Sequence, residues 1–162
     1  MGAAQVNRFR ENRLVRGALR VAATGLGAGF CPIAPGTAGT LVALPLWYWS
    51  GGWGLRHFLL LGAILLVSVP AARREMEATG KSDPGSAVID EIAGMLLAAT
   101  AVPWSVRSAV ILFLLFRLFD ILKFGPAAWL NRREGAVFVV ADDLAAGLYA
   151  ALAYRGIGWA TG

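Results

Sequence analysis

Five carboxylates stand where a chain of this kind should carry none. Of the ten acidic residues, Asp90, Glu91, Asp120, Asp142 and Asp143 lie inside segments that are otherwise apolar. An acidic side chain at the middle of a membrane helix costs roughly 2.5–3.5 kcal/mol on insertion scales, so five left unpaired would approach ~15 kcal/mol. That exceeds the usual stability of a whole domain. The comparison with membrane helices is apt, because 57% of the 162 residues are hydrophobic, only 15% are charged, and mean hydropathy is +0.62. Membrane residence follows, with residues 1–162 forming one domain.

The net charge of +5 fits an anionic lipid surface. Nucleic acid is not expected, since no basic run is interleaved with stacking aromatics. Arg13, Arg16 and Arg20 recur at helical spacing while Leu14, Ala18, Val21 and Ala22 fall on another face. Residues 1–22 therefore read as a basic amphipathic segment lying on the membrane surface. Arg8, Arg10 and the three arginines above leave no continuous apolar core for a signal peptide, so no cleavage is expected. Residues 24–40 hold five Gly and two Pro and predict a loop after the first helix. A second helix is expected from Leu41, with Trp47, Tyr48, Trp49 and Trp53 as an interfacial aromatic belt. Residues 58–72 predict a span ending at Arg73 and Arg74 on the cytoplasmic side. Asp83-Pro84 reads as a helix start leading to Val102, about 28 Å of helix. Two more helices are expected over 105–123 and 136–154. The fold class is all-α: a compact, membrane-associated bundle of about six helices. A single Cys31 excludes an internal disulfide, and nothing in the sequence indicates an oligomeric state.

Three neutralisers are available to the carboxylates. Arg117 and Lys123 flank Asp120 at i−3 and i+3, and Asp142 or Asp143 could cap a helix. The third is a hard divalent cation held by oxygen ligands. The cation is favoured because the carboxylates come from three segments and outnumber their local cations. Asp83 would stand about 10 Å from Asp90 along a straight helix, which makes it a cap or an outer group. Asp90 and Glu91 point about 100° apart, so only one of them should aim straight at the site centre. With Arg117 and Lys123 beside them, the carboxylates suit a phosphate ester bridged by a metal. The Gly-rich loop adds backbone N–H groups, Gly36 among them, and the hydroxyls of Thr37 and Thr40. Asp90-Glu91-Ile92-Ala93-Gly94 and Asp143-Leu144-Ala145-Ala146-Gly147 both read D-x-x-A-G, an echo short enough to arise by chance.

Other phosphate chemistry lacks its residues. Cys31 is followed by PIAPGT without the arginine of a cysteine phosphatase loop, His57 is the sole histidine, and D-x-D is absent. Metal-assisted attack by water remains. An ion-transport protein using the same carboxylates is the alternative reading.

The residues at this point resemble the phosphatidylglycerophosphatase A family. The resemblance rests on ATGLGAGFCPIAPGTAGTLVALPLW from Ala23, DPGSAVIDEIAG from Asp83, and LFRLFDILKFGP from Leu115 leading to GAVFVVADDLAAGLYAAL from Gly135. It implies a Mg²⁺-dependent enzyme of the bacterial inner membrane, with its site facing the cytoplasm, that removes the terminal phosphate of the anionic lipid phosphatidylglycerophosphate. It places Asp90, Glu91, Asp120, Asp142 and Asp143 at the acidic site, where the metal is expected; in the mechanism expected here Asp143 or Glu91 orients or deprotonates the attacking water and Arg117 assists catalysis by offsetting phosphate charge. Arg117, Lys123, Gly36, Thr37 and Thr40 fall to the substrate. The chain departs from the family in reading Lys123-Phe124-Gly125-Pro126 where Lys-Pro is usual, and in carrying less Gly before the Asp142-Asp143 pair.

Overall fold

A computed structural model describes residues 3–161, with side chains described for 13–159. Met1, Gly2 and Gly162, which the one-domain reading includes, lie outside the described residues, as do the side chains of Arg8 and Arg10. The described residues form seven α-helices and no strand: α1 (Ala3–Ala23), α2 (Pro35–Ser50), α3 (Gly54–Thr79), α4 (Ile89–Ala98), α5 (Val106–Leu122), α6 (Pro126–Asn131) and α7 (Ala136–Thr161). The count exceeds the expected six by the short α6.

Local chemistry explains most boundaries. Ser105 caps α5, its side chain accepting the Ser108 N–H at 3.0 Å. Gly80, at φ 70°, closes α3 with its N–H on the Met76 carbonyl at 2.9 Å. Two starts differ from expectation. The segment Pro35–Thr40 is not loop but the first turns of α2, with Pro35 at the position where a missing N–H is harmless. Asp83 caps no helix, because α4 begins only at Ile89 with Val88 as its N-cap. Its ten residues rise about 15 Å, half of a membrane crossing.

The reason lies in packing before α4. The Val88 N–H bonds the Ala23 carbonyl at 2.8 Å, and a Cβ at Gly29 would strike the Ser86 carbonyl. The end of α1 and the turn after it thus hold residues 83–88, where Ala87 N–H bonds the Pro84 carbonyl at 2.8 Å, in a turn rather than a helix.

α4 is the central helix, with eight of its ten residues buried. Its closest neighbour is α7. A Cβ at Gly94 would meet the Asp143 carbonyl, and one at Gly147 would meet the carbonyl of Gly94. The two D-x-x-A-G motifs are therefore each other's packing partners. Small residues facing one another are what lets two apolar helices approach this closely.

Trp47, Met95, Leu96, Leu112 and Phe116 fill the core. At the end away from the carboxylates, Trp47 donates to the Val102 carbonyl at 3.1 Å. Fully buried His57 bridges the Ser50 and Thr100 hydroxyls at 2.9 and 3.0 Å. α3 and the Ala136–Trp159 part of α7 are long and apolar enough to cross a membrane. Leu55, Leu59 and Leu66 on α3 are largely exposed, the surface a lipid-facing helix presents.

Candidate active site

Five helix ends meet at one end of the bundle: the starts of α2, α4 and α7, the end of α5, and the chain leaving α3. They enclose a cavity of about 420 Å³. Asp90 and Glu91 come from the first turn of α4, Arg117 and Asp120 from the last turns of α5, and Asp142 and Asp143 from the early part of α7. Gly36, Asp83 and Lys123, with Asn131, Arg132, Arg133 and Glu134 from the end of α6 and the turn after it, add to its charged and close-packed wall.

The five expected ligands separate into two groups. Asp90, Glu91 and Asp143 each bring one carboxylate oxygen within 4.8 Å of the others. Asp120 instead pairs with Arg117, and Asp142 with Lys123. The Arg117–Asp120 pair is the one its i,i+3 spacing predicts. Lys123 turns the other way, to Asp142 and to the Asn131 side-chain oxygen at 2.8 Å. It can do so because it has left the helix, at φ 45°, as the C-cap of α5. Both Asp90 and Glu91 reach the cluster, contrary to the 100° expectation. They sit in the first turn, where Glu91 has one more methylene to bend back with. Neither Asp142 nor Asp143 is a helix cap, since both lie inside α7.

Three carboxylates this close repel one another by about 4 kcal/mol per pair at an effective dielectric of about 20. Burial raises Asp90 well above the ordinary carboxylate range, and the neighbouring Glu91 charge raises it further. Burial also raises Glu91, with the Asp120 charge adding to it and the Arg117 charge opposing it. For Lys123, burial would lower the ammonium, but the bond and charge of Asp142 outweigh it and hold the group protonated.

The residues fit a hard divalent cation. The donor set is all carboxylate oxygen, and Glu91 Oε2 is buried with no hydrogen-bond partner. A Cβ at Gly36 would fall on Glu91 Oε1 and within 3.1 and 3.3 Å of the Arg117 guanidinium nitrogens, so the start of α2 backs directly onto the cluster.

The expected threonines do not line the cavity. Thr40 is buried and donates to the Gly36 carbonyl at 2.8 Å, because the segment that carries it is helical. Thr37 is half-buried one residue beyond Gly36. Asp83 lines the cavity as an outer group.

Sequence reasoning also missed Glu75, which stands just beyond the span expected to end at Arg73 and Arg74. It is fully buried, accepting the Ser86 hydroxyl at 2.7 Å and facing Arg20 of α1 at 3.3 Å. Through Ser86 it fixes the chain on which Asp83 and Gly85 line the cavity. The signal available was Glu75's position four residues after Ala71 on one α3 face, with Arg73 and Glu77 on another.

A family model described as Phosphatidylglycerophosphatase A matches residues 21–158, a range that holds every residue lining the cavity. The chain belongs to the phosphatidylglycerophosphatase A family. It is 34% identical over 148 residues to an Escherichia coli K12 phosphatidylglycerophosphatase A, covering 86% of this chain and 84% of the relative. A Haemophilus influenzae phosphatidylglycerophosphatase A is 31% identical over 141 residues, 83% of this chain and 85% of the relative. A Bacteroides thetaiotaomicron protein, provisionally named a phosphatidylinositol-3-phosphatase, is 34% identical over 156 residues, 86% of this chain and 92% of the relative. No solved structure is a significant match. Membership in the phosphatidylglycerophosphatase A family makes the chain an enzyme of the phosphatase class.

Proposed function

We propose that the protein hydrolyses the terminal phosphomonoester of phosphatidylglycerophosphate to phosphatidylglycerol and inorganic phosphate, with Mg²⁺ held by Asp90, Glu91 and Asp143. The observation that carries this is the cluster of three carboxylates beside two cation pairs, in a cavity at the end of two helices able to cross a membrane. The names of the two phosphatidylglycerophosphatase A relatives support the choice of lipid.

When bound, the cation supplies positive charge against the phosphoryl oxygens and polarises phosphorus toward attack. The chain does the rest. Arg117 and Lys123 offset the remaining phosphate charge, and Asp120 and Asp142 hold their side chains in place. Asp143 or Glu91 orients a water and accepts its proton as the oxygen attacks phosphorus, the ester bond breaks, and that proton passes to the departing alkoxide. Buried Met95, Leu96, Leu112 and Phe116 lie beneath the cavity, an arrangement that suits a one-sided pocket rather than a transport path.

The cavity end faces the cytoplasm of a bacterial inner membrane in this reading. Arg73, Arg74, Lys81, Arg132 and Arg133 lie at that end, against Arg56, Arg107 and Arg155 at the other, the asymmetry of a cytoplasmic side. Exposed Arg13, Arg16 and Arg20 place α1 on the same anionic surface. The test is the pair Asp90→Asn and Asp143→Asn. Each should abolish phosphate release while leaving the helical circular dichroism intact, and a double variant that keeps turnover contradicts the proposal.

A further inference from the structure

A second hollow opens beside the carboxylate cavity. Between the last turns of α3 and the first turn of α7 runs a groove of about 730 Å³, and it shares Ser82 and Glu134 with the cavity. Its two walls are the helices able to cross a membrane. Ala72, Ala136 and Val140 pack beneath it with Val69 and Met76 against them, and Val137 and Phe138 extend the apolar wall. Four charged groups line the groove: Arg73, Glu77, Lys81 and Glu134. Arg73 and Glu77 pair with each other at 3.3 Å, whereas the Lys81 ammonium has no ion pair among the described residues.

A phosphatidyl phosphomonoester of the kind proposed above carries a second phosphate, a diester, one glycerol unit from the first. Beyond the diester come two acyl chains that stay in the bilayer. With the monoester among the carboxylates, the diester must lie just outside the cavity, near a cation, and the chains must leave along an apolar surface facing lipid. The groove meets each requirement in that order. A further apolar hollow, formed by α1, α2 and α3 with Ile89 and Ile92 of α4, shares no lining residue with the cavity.

We propose that the α3–α7 groove is the subsite for the remainder of the lipid. Lys81, with Arg73, takes the diester phosphate, and Val69, Met76, Val137 and Phe138 hold the glycerol backbone and the first part of an acyl chain. The proposal rests on the phosphatidylglycerophosphate reading. It assigns the two products to two places: inorganic phosphate to the carboxylate cavity and phosphatidylglycerol to the groove.

Product inhibition separates them. Phosphate release from phosphatidylglycerophosphate in mixed micelles is measured for wild type, Lys81→Ala and Val137→Trp, with added phosphatidylglycerol or added inorganic phosphate. Both positions are exposed, Val137 by 58%, so folding is not at stake. The variants should raise KM for the lipid and Ki for phosphatidylglycerol by about tenfold, the loss of one charge-assisted contact or of the chain's wall space. Ki for inorganic phosphate should stay at the wild-type value. Unchanged phosphatidylglycerol inhibition in both variants overturns the groove, and so does an equal rise in the phosphate Ki. Wild-type protein that releases no phosphate from this lipid contradicts the functional reading, and the groove falls with it. Normal wild-type turnover with unaltered variants contradicts the groove alone.

Discussion

Gly36 has no room for a methyl group. A Cβ there would displace Glu91 Oε1 and crowd the Arg117 guanidinium, so Gly36→Ala should cut kcat for phosphate release by at least about tenfold, ~1.4 kcal/mol of barrier, with the fold retained. Wild-type kcat in that variant would show that the cluster tolerates displacement. Asp90 supports a second prediction, on pH. Its carboxyl is raised in the folded protein by burial and by Glu91, so the folded state keeps a proton that the unfolded chain releases near pH ~4. Stability of the chelated protein should therefore fall as pH rises from about 4 through that raised value. In the proposed site Mg²⁺ would take the place of the proton, so its stabilising effect in thermal unfolding should be larger at pH 8 than at pH 5. An equal effect at both would contradict the assignment. The five carboxylates in apolar segments were legible in the sequence because acidic groups there demand a reason. Which of them cluster together was not, since Lys123 turns away from Asp120 only after leaving its helix. Glu75 was hidden by its polar neighbours, because burial of one helix face does not show where the opposite face is charged.

At the scale of elements, the α4–α7 contact sets the site. Asp90 and Asp143 come together because Gly94 and Gly147, four residues after each, let the two backbones touch. Gly147→Ala should push the helices apart, costing about 1–3 kcal/mol in denaturant unfolding and lowering activity in step. A stable Gly147→Ala with full activity would mean that the approach of the helices is not what assembles the cluster. The D-x-x-A-G echo was visible in the sequence, but that its two copies pack on each other is a tertiary fact. The bounds of α5 were readable from Ser105, which caps its start, and from Gly125-Pro126, which stops the helix soon after Lys123. The start of α4 was not. Asp83-Pro84 carries a strong helix-start signal, yet the Ala23 carbonyl and the close backbone of Gly29 capture the chain up to Val88 first. Likewise the Gly and Pro content of residues 35–40 reads as loop, although Pro35 is well placed to begin a helix and its glycines serve close packing on Glu91 and Val88.

Across the whole molecule, polarity is divided between two ends. One gathers the carboxylates, their cation partners and most of the exposed arginines; the other is closed by Trp47, His57, Ser50 and Thr100 in buried hydrogen bonds. A membrane enzyme acting on a lipid head group needs that division, because water and phosphate must reach one end only. The basic amphipathic α1 and the span-capable α3 and α7 suit the proposed position of the reactive end at a bilayer surface. The central claim is that the carboxylate cluster works as a divalent-cation phosphatase site. Phosphate release from phosphatidylglycerophosphate by the purified full chain in detergent, with Mg²⁺, then with chelator, then with Mg²⁺ restored, tests it most directly. Release that stops with chelator and returns with Mg²⁺ is the predicted result. Release that continues at the same rate in chelator, or none with Mg²⁺ present, would contradict it.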